Sequence, residues 1–359
     1  MSTTQIRQPN LDSSKSSQLD LKRAVSKLFK SKDARGYWIL IVMFVVGAIV
    51  APAMLDAGTI RALIANSGPL IFASVGEAAV LMVGELDLSI GAIMALSGVV
   101  VVTLMNNGIS TEAAIIIAVL SGLIVGLVNG FCTAIFGISS FIVTLGSSFA
   151  VYGVSLAMSN GVVESATHVK VTIWLSSFIA SVVSPILVLV VIVVVAASFL
   201  VGSTTWGRRL YAVGGDRESA TRWGFPVRRV LLQVFMLSGA VSALGGVVLA
   251  LSLGTGNPNA GTSILLTTIA GVVIGGIALS GGEGRVGAAC AGTVALVVLE
   301  FVLNQRNVGS AGEQFVAGIV VVIVGLKKFD NIFAFKGRSL ASVSRDRRDH
   351  KTVEPEGGS

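Results

Sequence analysis

Residues 178–229 read FIASVVSPILVLVVIVVVAASFLVGSTTWGRRLYAVGGDRESATRWGFPVRR and join an apolar segment to a basic one. The apolar segment, residues 178–201, is long enough to cross a bilayer as a helix, which requires about 20 residues. The basic segment, residues 204–229, holds six arginines against Asp216 and Glu218 and is too long for a tight turn. Together they predict a transmembrane helix followed by a loop that either marks the cytoplasmic side or serves as a docking surface.

The composition extends this reading to the whole chain. Of its 359 residues, 53% are hydrophobic and 13% are charged, whereas about 25% of residues are charged in a soluble domain. Apolar stretches recur without an alternating pattern, so we predict an all-α, polytopic transmembrane helical bundle. It has about ten spans, at residues 37–55, 63–83, 90–105, 113–136, 141–158, 178–201, 230–253, 264–280, 286–303 and 311–326.

The distribution of basic residues predicts the orientation. Residues 1–36, 204–229 and 327–351 contain 22 of the 26 Lys and Arg residues. Because short cytoplasmic loops are enriched in Lys and Arg, both termini and the central loop are predicted to be cytoplasmic. An even number of predicted spans separates these three regions, which agrees with that orientation. The net charge of +7 therefore reflects membrane topology, and no nucleic-acid partner is expected.

The chain divides into three parts by composition. Residues 1–36 are predicted to be a disordered basic cytoplasmic arm, residues 37–330 the transmembrane domain, and residues 331–359 a disordered cytoplasmic tail. The two cysteines and two histidines form no closely spaced set, so no disulfide, metal or cofactor site is expected. Glycines at helical spacing, at positions 122, 126 and 130 and again at 271 and 275, predict closely packed helices.

Four acidic residues lie in or beside apolar segments: Glu77, Glu85, Asp87 and Glu300. Charge inside a membrane is costly, so such residues usually face the protein interior. Glu77 either faces a transport pathway or makes a structural hydrogen bond. Asp87 is expected to cap the following helix together with Ser89. Glu85 either tunes the pathway or faces cytoplasmic water, and the second role is expected.

The segment LSGGE at residues 279–283 resembles the signature sequence of ABC-type ATPases. The chain has no G-x-x-x-x-G-K-[ST] phosphate loop, and LSGGE lies between two apolar segments. We therefore predict a glycine-rich turn at this position and no ATP hydrolysis by this chain.

Four motifs together resemble the membrane permease subunits of ABC importers for ribose, xylose, galactose, autoinducer-2 and related simple sugars. They are GELDLSIGAIMALSG (84–98), SSFIVTLGS (139–147), WGRRLYAVGGDRESATRWGF (206–225) and IGGIALSGGEGRVG (274–287). The resemblance runs from about Gly68 to Asp330 and implies a type II ABC importer-like permease in the bacterial inner membrane. The family usually has Gly where this chain has Glu85, and often Lys where it has Glu283.

The resemblance also implies the partners and the division of labour. A separate ATPase subunit would hydrolyse ATP, an extracytoplasmic solute-binding protein would deliver a sugar-like solute, and a second permease subunit, identical or a paralogue, would complete the path. The chain itself would not be an enzyme. In the family, the loop that corresponds to residues 206–225 contains a short helix that docks on the ATPase.

The local sequence suits such a coupling helix. Asp216 is a predicted N-cap, Ala220 and Trp223 are predicted to share one face, and Gly224 followed by Pro226 would end the helix. The arginines would meet acidic residues of the ATPase. The expected members of this ATPase-coupling loop are Arg208, Arg209, Asp216, Arg217, Glu218, Ala220, Arg222, Trp223 and Gly224.

Polar residues in the predicted spans are candidates for the solute path, because they could bind sugar hydroxyls; each could equally bind a neighbouring helix. They are Asn66, Glu77, Ser97, Asn129, Thr144, Ser148 and Thr268.

Two other classes of function fit parts of the sequence. An autonomous ion-coupled secondary transporter would use Glu77 or Glu85 in a proton relay. A non-transporting membrane scaffold would account for the basic loop, but it gives no reason for glycine-rich helices and buried acids.

Overall fold

The computed structural model describes residues 34–167, 169–178 and 183–309, together with residues 312, 315, 316, 318 and 319. Most of the predicted N-terminal arm, the whole predicted tail and most of the tenth predicted span lie outside the described residues. His168 lies outside them as well.

The described residues form a predominantly helical chain. In order, its elements are α1 (Arg35–Val50), a 3-10 turn (Pro52–Leu55), α2 (Ala57–Met82), α3 (Ile90–Asn106), α4 (Thr111–Ala134), α5 (Ser140–Met158), β1 (Glu164–Ser165), α6 (Val169–Leu175), α7 (Pro185–Ser203), α8 (Thr205–Gly215), α9 (Arg217–Arg222), α10 (Val227–Leu253), β2 (Thr255–Gly256), α11 (Gly261–Ile274) and α12 (Val286–Gln305).

Six of these helices are long and apolar enough to cross a membrane: α2, α4, α5, α7, α10 and α12. The apolar helices α1, α3 and α11 are shorter, with 16, 17 and 14 residues. Each of the first nine predicted spans overlaps one of these helices. The helical bundle and the multi-pass membrane class are therefore confirmed, whereas the count of ten spans is not.

The largest boundary error is at the predicted span 178–201, where helix α7 begins at Pro185. Proline suits the first turn of a helix because its missing N–H needs no partner there. The Ser184 hydroxyl accepts the Leu187 N–H at 3.1 Å and caps the helix. The Ser-Pro pair therefore sets the start of α7, although the apolar character of the sequence begins earlier.

The helices separate into a buried centre and an exposed periphery. Helices α2, α10 and α12 are mostly buried, whereas α4, α5 and α7 are mostly exposed. Helix α10 packs against α4, α2 and α3, and Phe72 of α2 and Phe235 of α10 are completely buried. The exposed side chains of the peripheral helices include Phe149 and Ile192, an apolar surface that suits lipid or another membrane subunit.

Glycine permits the close contact between α4 and α10. A Cβ atom on Gly126 would lie 2.2 Å from the Phe235 carbonyl oxygen, and one on Gly239 would lie 2.2 Å from the Gly122 carbonyl oxygen. Gly271 and Gly275 meet the backbone of α12 in the same way. The predicted close helix packing is confirmed, because no other residue could occupy these positions without moving a helix backbone.

The bundle has two structurally distinct ends. The end that carries α8, α9, residues 83–89 and the turn at 275–285 is called the α9 end here. At the other end, β1 and β2 form an antiparallel pair in which Glu164 faces Gly256 and Ser165 faces Thr255. The Thr103 hydroxyl of α3 donates to the Glu164 carboxylate at 2.7 Å and connects this small sheet to the helices.

Candidate coupling site and solute path

Helix α9 is a short, well-capped helix within the basic segment. Asp216 accepts hydrogen bonds from the backbone N–H groups of Glu218 at 2.9 Å and Ser219 at 3.1 Å, and from the Ser219 hydroxyl at 2.7 Å. The hydrogen bonds from Ser219 favour the ionised form and lower the pKa of Asp216. Gly224 has a φ of +77°, which ends the helix. The predicted N-cap and the predicted stop are both confirmed.

The predicted shared face of Ala220 and Trp223 is wrong. Ala220 is buried, whereas the Trp223 side chain is 83% exposed. The helix ends at Arg222, so Trp223 occupies the C-cap position and leaves the helical register. Consequently α9 rests on the protein through Ala220 and presents a free indole ring beside it.

Most arginines of the basic segment form an exposed surface around α9. Arg222 pairs with Glu218 one turn earlier, and both side chains are exposed. The side chains of Arg208, Arg209, Arg228 and Arg229 are also exposed, and that of Arg217 is 42% exposed.

Arg217 behaves differently from these arginines. Its guanidinium Nη2 lies 2.5 Å from the Glu85 carboxylate and donates to the Val83 carbonyl at 3.0 Å. It therefore binds its own chain, rather than remaining available for an acidic partner as the sequence suggested. The prediction that Glu85 faces water is also wrong, because this side chain is only 11% exposed.

Residues 83–89 connect α2 to α3 and make polar contacts with α5. The Ser140 hydroxyl donates to Glu85 at 2.5 Å and accepts the Leu86 N–H at 3.3 Å. The Leu88 N–H donates to the Thr144 hydroxyl at 3.0 Å. The N-terminal end of α5 therefore holds two backbone N–H groups and one carboxylate of this connection.

Asp87 and Ser89 connect the same segment to α10 and α4. Asp87 is completely buried, and its carboxylate accepts hydrogen bonds from the Ser238 hydroxyl at 2.8 Å, the Ser89 hydroxyl at 2.5 Å and the Ser89 N–H at 2.9 Å. The Asn129 amide donates to the Ser89 hydroxyl at 2.9 Å. Neither Asp87 nor Ser89 caps the first turn of α3 through its side chain, so the capping prediction is wrong. The two residues instead link the α2–α3 connection to α10 and α4.

The predicted solute-path residues differ in burial. Five are completely buried: Glu77, Ser97, Asn129, Thr144 and Thr268. Asn66 is exposed and Ser148 is partly buried. Asn129 and Thr144 both belong to the polar contacts of residues 83–89, as described above.

The remaining buried candidates are Glu77, Ser97 and Thr268. The Ser97 hydroxyl donates to the Met94 carbonyl of its own helix at 3.0 Å. Among the described residues, neither Glu77 carboxylate oxygen nor the Thr268 hydroxyl has a hydrogen-bond partner. Glu300, the other membrane acid, accepts a hydrogen bond from Thr267 at 2.8 Å.

The glycine-rich turn predicted at LSGGE is confirmed. Gly281, Gly282 and Gly284 all have positive φ angles. The Gly282 N–H donates to the Met82 carbonyl at 2.8 Å, and the Tyr211 hydroxyl of α8 donates to the Gly284 carbonyl at 2.7 Å. This segment therefore packs the α11–α12 connection against α2 and α8 through backbone contacts.

Sequence reasoning missed Ser140 and Ser238 as members of the site. Ser140 lies inside the quoted motif SSFIVTLGS, so a signal was present there. Ser238 lies in an apolar helix, and nothing in its neighbours along the chain points to Asp87.

The fold and the α9 end define a class of protein: a multi-pass helical membrane protein with a short, exposed helix on a basic surface and buried polar contacts behind it. Comparison with known families then assigns the chain. It belongs to the family described as the permease component of branched-chain amino acid transport systems, which matches residues 59–325. The chain is therefore a transmembrane translocation component and not an enzyme, and the resemblance to ABC importer permeases is confirmed.

Several similar proteins are permeases of sugar systems. The ribose import permease protein of Bacillus subtilis (strain 168) is 31% identical over 292 residues, which cover 80% of this chain and 89% of that protein. The D-allose transport system permease protein of Escherichia coli (strain K12) is 31% identical over 305 residues, with coverages of 84% and 93%. The L-arabinose ABC transporter permease protein of Azospirillum brasilense is 31% identical over 288 residues, with coverages of 80% and 85%.

These comparisons also decide between the functional alternatives. An autonomous ion-coupled transporter and a non-transporting scaffold are both rejected, because the family and these relatives are permease components. No solved structure matches the chain.

Proposed function

We propose that this chain is the permease subunit of an ABC importer that carries a simple sugar or related polyol across the bacterial inner membrane. The observation that carries the proposal is the similarity, over at least 80% of the chain, to permeases named for ribose, D-allose and L-arabinose. These relatives differ in substrate, so the supported substrate class is a small molecule rich in hydroxyl groups.

The α9 end is proposed to face the cytoplasm and to bind the ATPase subunit. Besides Arg217, which is paired with Glu85, five exposed arginines lie on or beside α9, in accord with the enrichment of basic residues on the cytoplasmic side. The exposed Trp223 side chain offers a large apolar contact to a partner, and aromatic and arginine side chains are common anchors in protein interfaces. This surface supports docking of a protein whose contact residues are acidic and whose groove accepts an indole ring.

A second permease subunit is proposed to cover part of the exposed apolar periphery, and the solute path is proposed to lie between the two subunits. Helices α4, α5 and α7 carry the exposed apolar side chains that such contact requires. Asn66 and Ser148 are the two candidate path residues that are not completely buried in one chain. The buried candidates, such as Thr144, would reach solute only after helices move apart.

The test begins with the C-terminally tagged protein, purified from native membranes in mild detergent. A P-loop ATPase is expected to co-purify, and uptake of radiolabelled ribose, allose or arabinose into cells is expected to be blocked by vanadate. Uptake that persists without an ATPase and collapses with the proton gradient would refute the proposal.

The path assignment has its own test. Replacing Asn66 and Ser148 by alanine should change the KM or the maximal rate of uptake at normal expression. Unchanged kinetics in both variants would remove them from the path.

A further inference from the structure

Arg217 and Glu85 form an ion pair that joins α9 to the interior of the bundle. The distance from Nη2 to the carboxylate is 2.5 Å, and the same guanidinium donates to the Val83 carbonyl at 3.0 Å. Both contacts lie on the α2–α3 connection. An arginine held at two acceptors on one segment fixes that segment more firmly than a single contact does.

The ion pair is partly buried, and this burial strengthens it. Glu85 is 11% exposed and Arg217 is 42% exposed. Partial burial reduces screening by water and salt, so this pair interacts more strongly than one on the open surface. The Ser140 hydroxyl holds the second carboxylate oxygen at 2.5 Å, which orients Glu85 towards Arg217.

From Glu85 the polar contacts continue into three transmembrane helices. Ser140 connects the segment to α5, Asp87 connects it to Ser238 of α10, and Ser89 connects it to Asn129 of α4. All of these contacts are made by residues 85–89. This short stretch cannot shift without breaking the contacts or moving the helices that make them. Movement of α9 would therefore be passed by Arg217 to residues 85–89, and from this one segment to α4, α5 and α10.

We propose that the Arg217–Glu85 ion pair is the link through which movement of α9 reaches the transmembrane helices, with both residues acting as positioning residues for solute translocation. This inference rests on the proposed function, since it assumes that α9 moves with a bound ATPase. Loss of the pair leaves the docking surface in place but separates it from residues 85–89. Binding of the ATPase is then retained while transport is lost.

Helix α9 supplies a matched control pair. Glu218 and Arg222 form an ion pair on the same helix, but both side chains are mostly exposed and contact no transmembrane helix through the pair. Exposed pairs of this kind contribute little to stability. Neutralising Glu218 therefore removes a charge of the same sign as that of Glu85, and from the same helix as Arg217, without touching the link.

The first measurement uses the isolated permease and does not depend on transport. In Glu85→Gln and in Arg217→Gln, the amide hydrogens of Leu86 and Leu88, which donate to Ser140 and Thr144, should exchange roughly tenfold faster or more. Glu218→Gln should leave their exchange unchanged. Wild-type exchange rates in both neutralised variants would overturn the link.

The second measurement uses the complete transporter. Glu85→Gln and Arg217→Gln should retain ATPase co-purification within about twofold and lose solute uptake roughly tenfold. The exchanged pair, Glu85→Arg with Arg217→Glu, should recover part of the uptake that either single reversal abolishes. Normal uptake in the neutralised variants would refute the coupling role. If the wild-type protein shows no ATP-dependent uptake, the proposed function fails, and the exchange measurement still decides whether the link exists.

Discussion

Replacing Gly126 by alanine should destabilise the protein by forcing α4 and α10 apart. The new Cβ would lie 2.2 Å from the Phe235 carbonyl oxygen and 3.2 Å from the Gly239 Cα. Carbon and oxygen atoms need about 3.2 Å or more, so one helix backbone has to retreat by about 1 Å. Overpacking of this kind costs about 1–3 kcal/mol, and the higher helix propensity of alanine returns up to about 1 kcal/mol. We expect a net loss of about 1–2 kcal/mol.

Gly146→Ala is the matched control for this prediction. Gly146 lies within α5, and apart from the backbone of its own helix no atom of the described residues lies within 4 Å of the position that its Cβ would take. Without overpacking, only the propensity gain remains, so this variant should be as stable as the wild type or more stable. The measurement is reversible unfolding of both variants in the same detergent. A Gly126→Ala protein at least as stable as Gly146→Ala would refute the packing argument.

Three further predictions concern the buried polar contacts and α9. Ser238→Ala removes a donor from the buried carboxylate of Asp87 and should cost about 1–3 kcal/mol in the free energy of unfolding. Ser242→Ala is the control. The Ser242 hydroxyl has no partner among the described residues, so its removal should change stability much less. Trp223→Ala should change the free energy of unfolding by less than about 0.5 kcal/mol yet weaken ATPase co-purification, because the side chain is 83% exposed; a large loss of stability would show that the ring packs on its own chain. The pKa of Asp216 is lowered in the folded protein, so its capping stabilises α9 at neutral pH and this contribution is lost as the pH falls through the lowered pKa. Hydrogen exchange of residues 217–222, corrected for intrinsic rates, should show protection falling on acidification in the wild type and no such change in Asp216→Ala.

Residues 83–89 are the part of the structure where the predictions from sequence failed most often. The sequence suggested a water-facing Glu85 and a capping role for Asp87, whereas both carboxylates are held by side chains of other elements. A buried carboxylate requires donors, and several of those donors lie on elements distant in sequence. Asp87 is satisfied partly by Ser89 nearby and partly by Ser238, so local reasoning could find only half of its partners.

The sequence by itself determined the membrane class, the positions of nine apolar helices within the described residues, and the limits of α9. Hydropathy over a window of about 20 residues is a property of the residues in that window alone. Caps are local as well: Asp216 and Gly224 act on backbone groups within a few residues. The glycine spacing likewise predicted close helix contacts, although it could not name the partner helix.

Only the tertiary structure decided which way the charged side chains of the basic segment point. Arg217 and Arg222 have the same chemistry on the same short helix, yet one binds Glu85 of the α2–α3 connection and the other binds Glu218 on the surface. A long, flexible side chain reaches partners in several directions, and its choice depends on which element the fold brings within a few ångströms. Burial of Ala220 and exposure of Trp223 were decided in the same way, by the position of α9 against the bundle and by its end at Arg222.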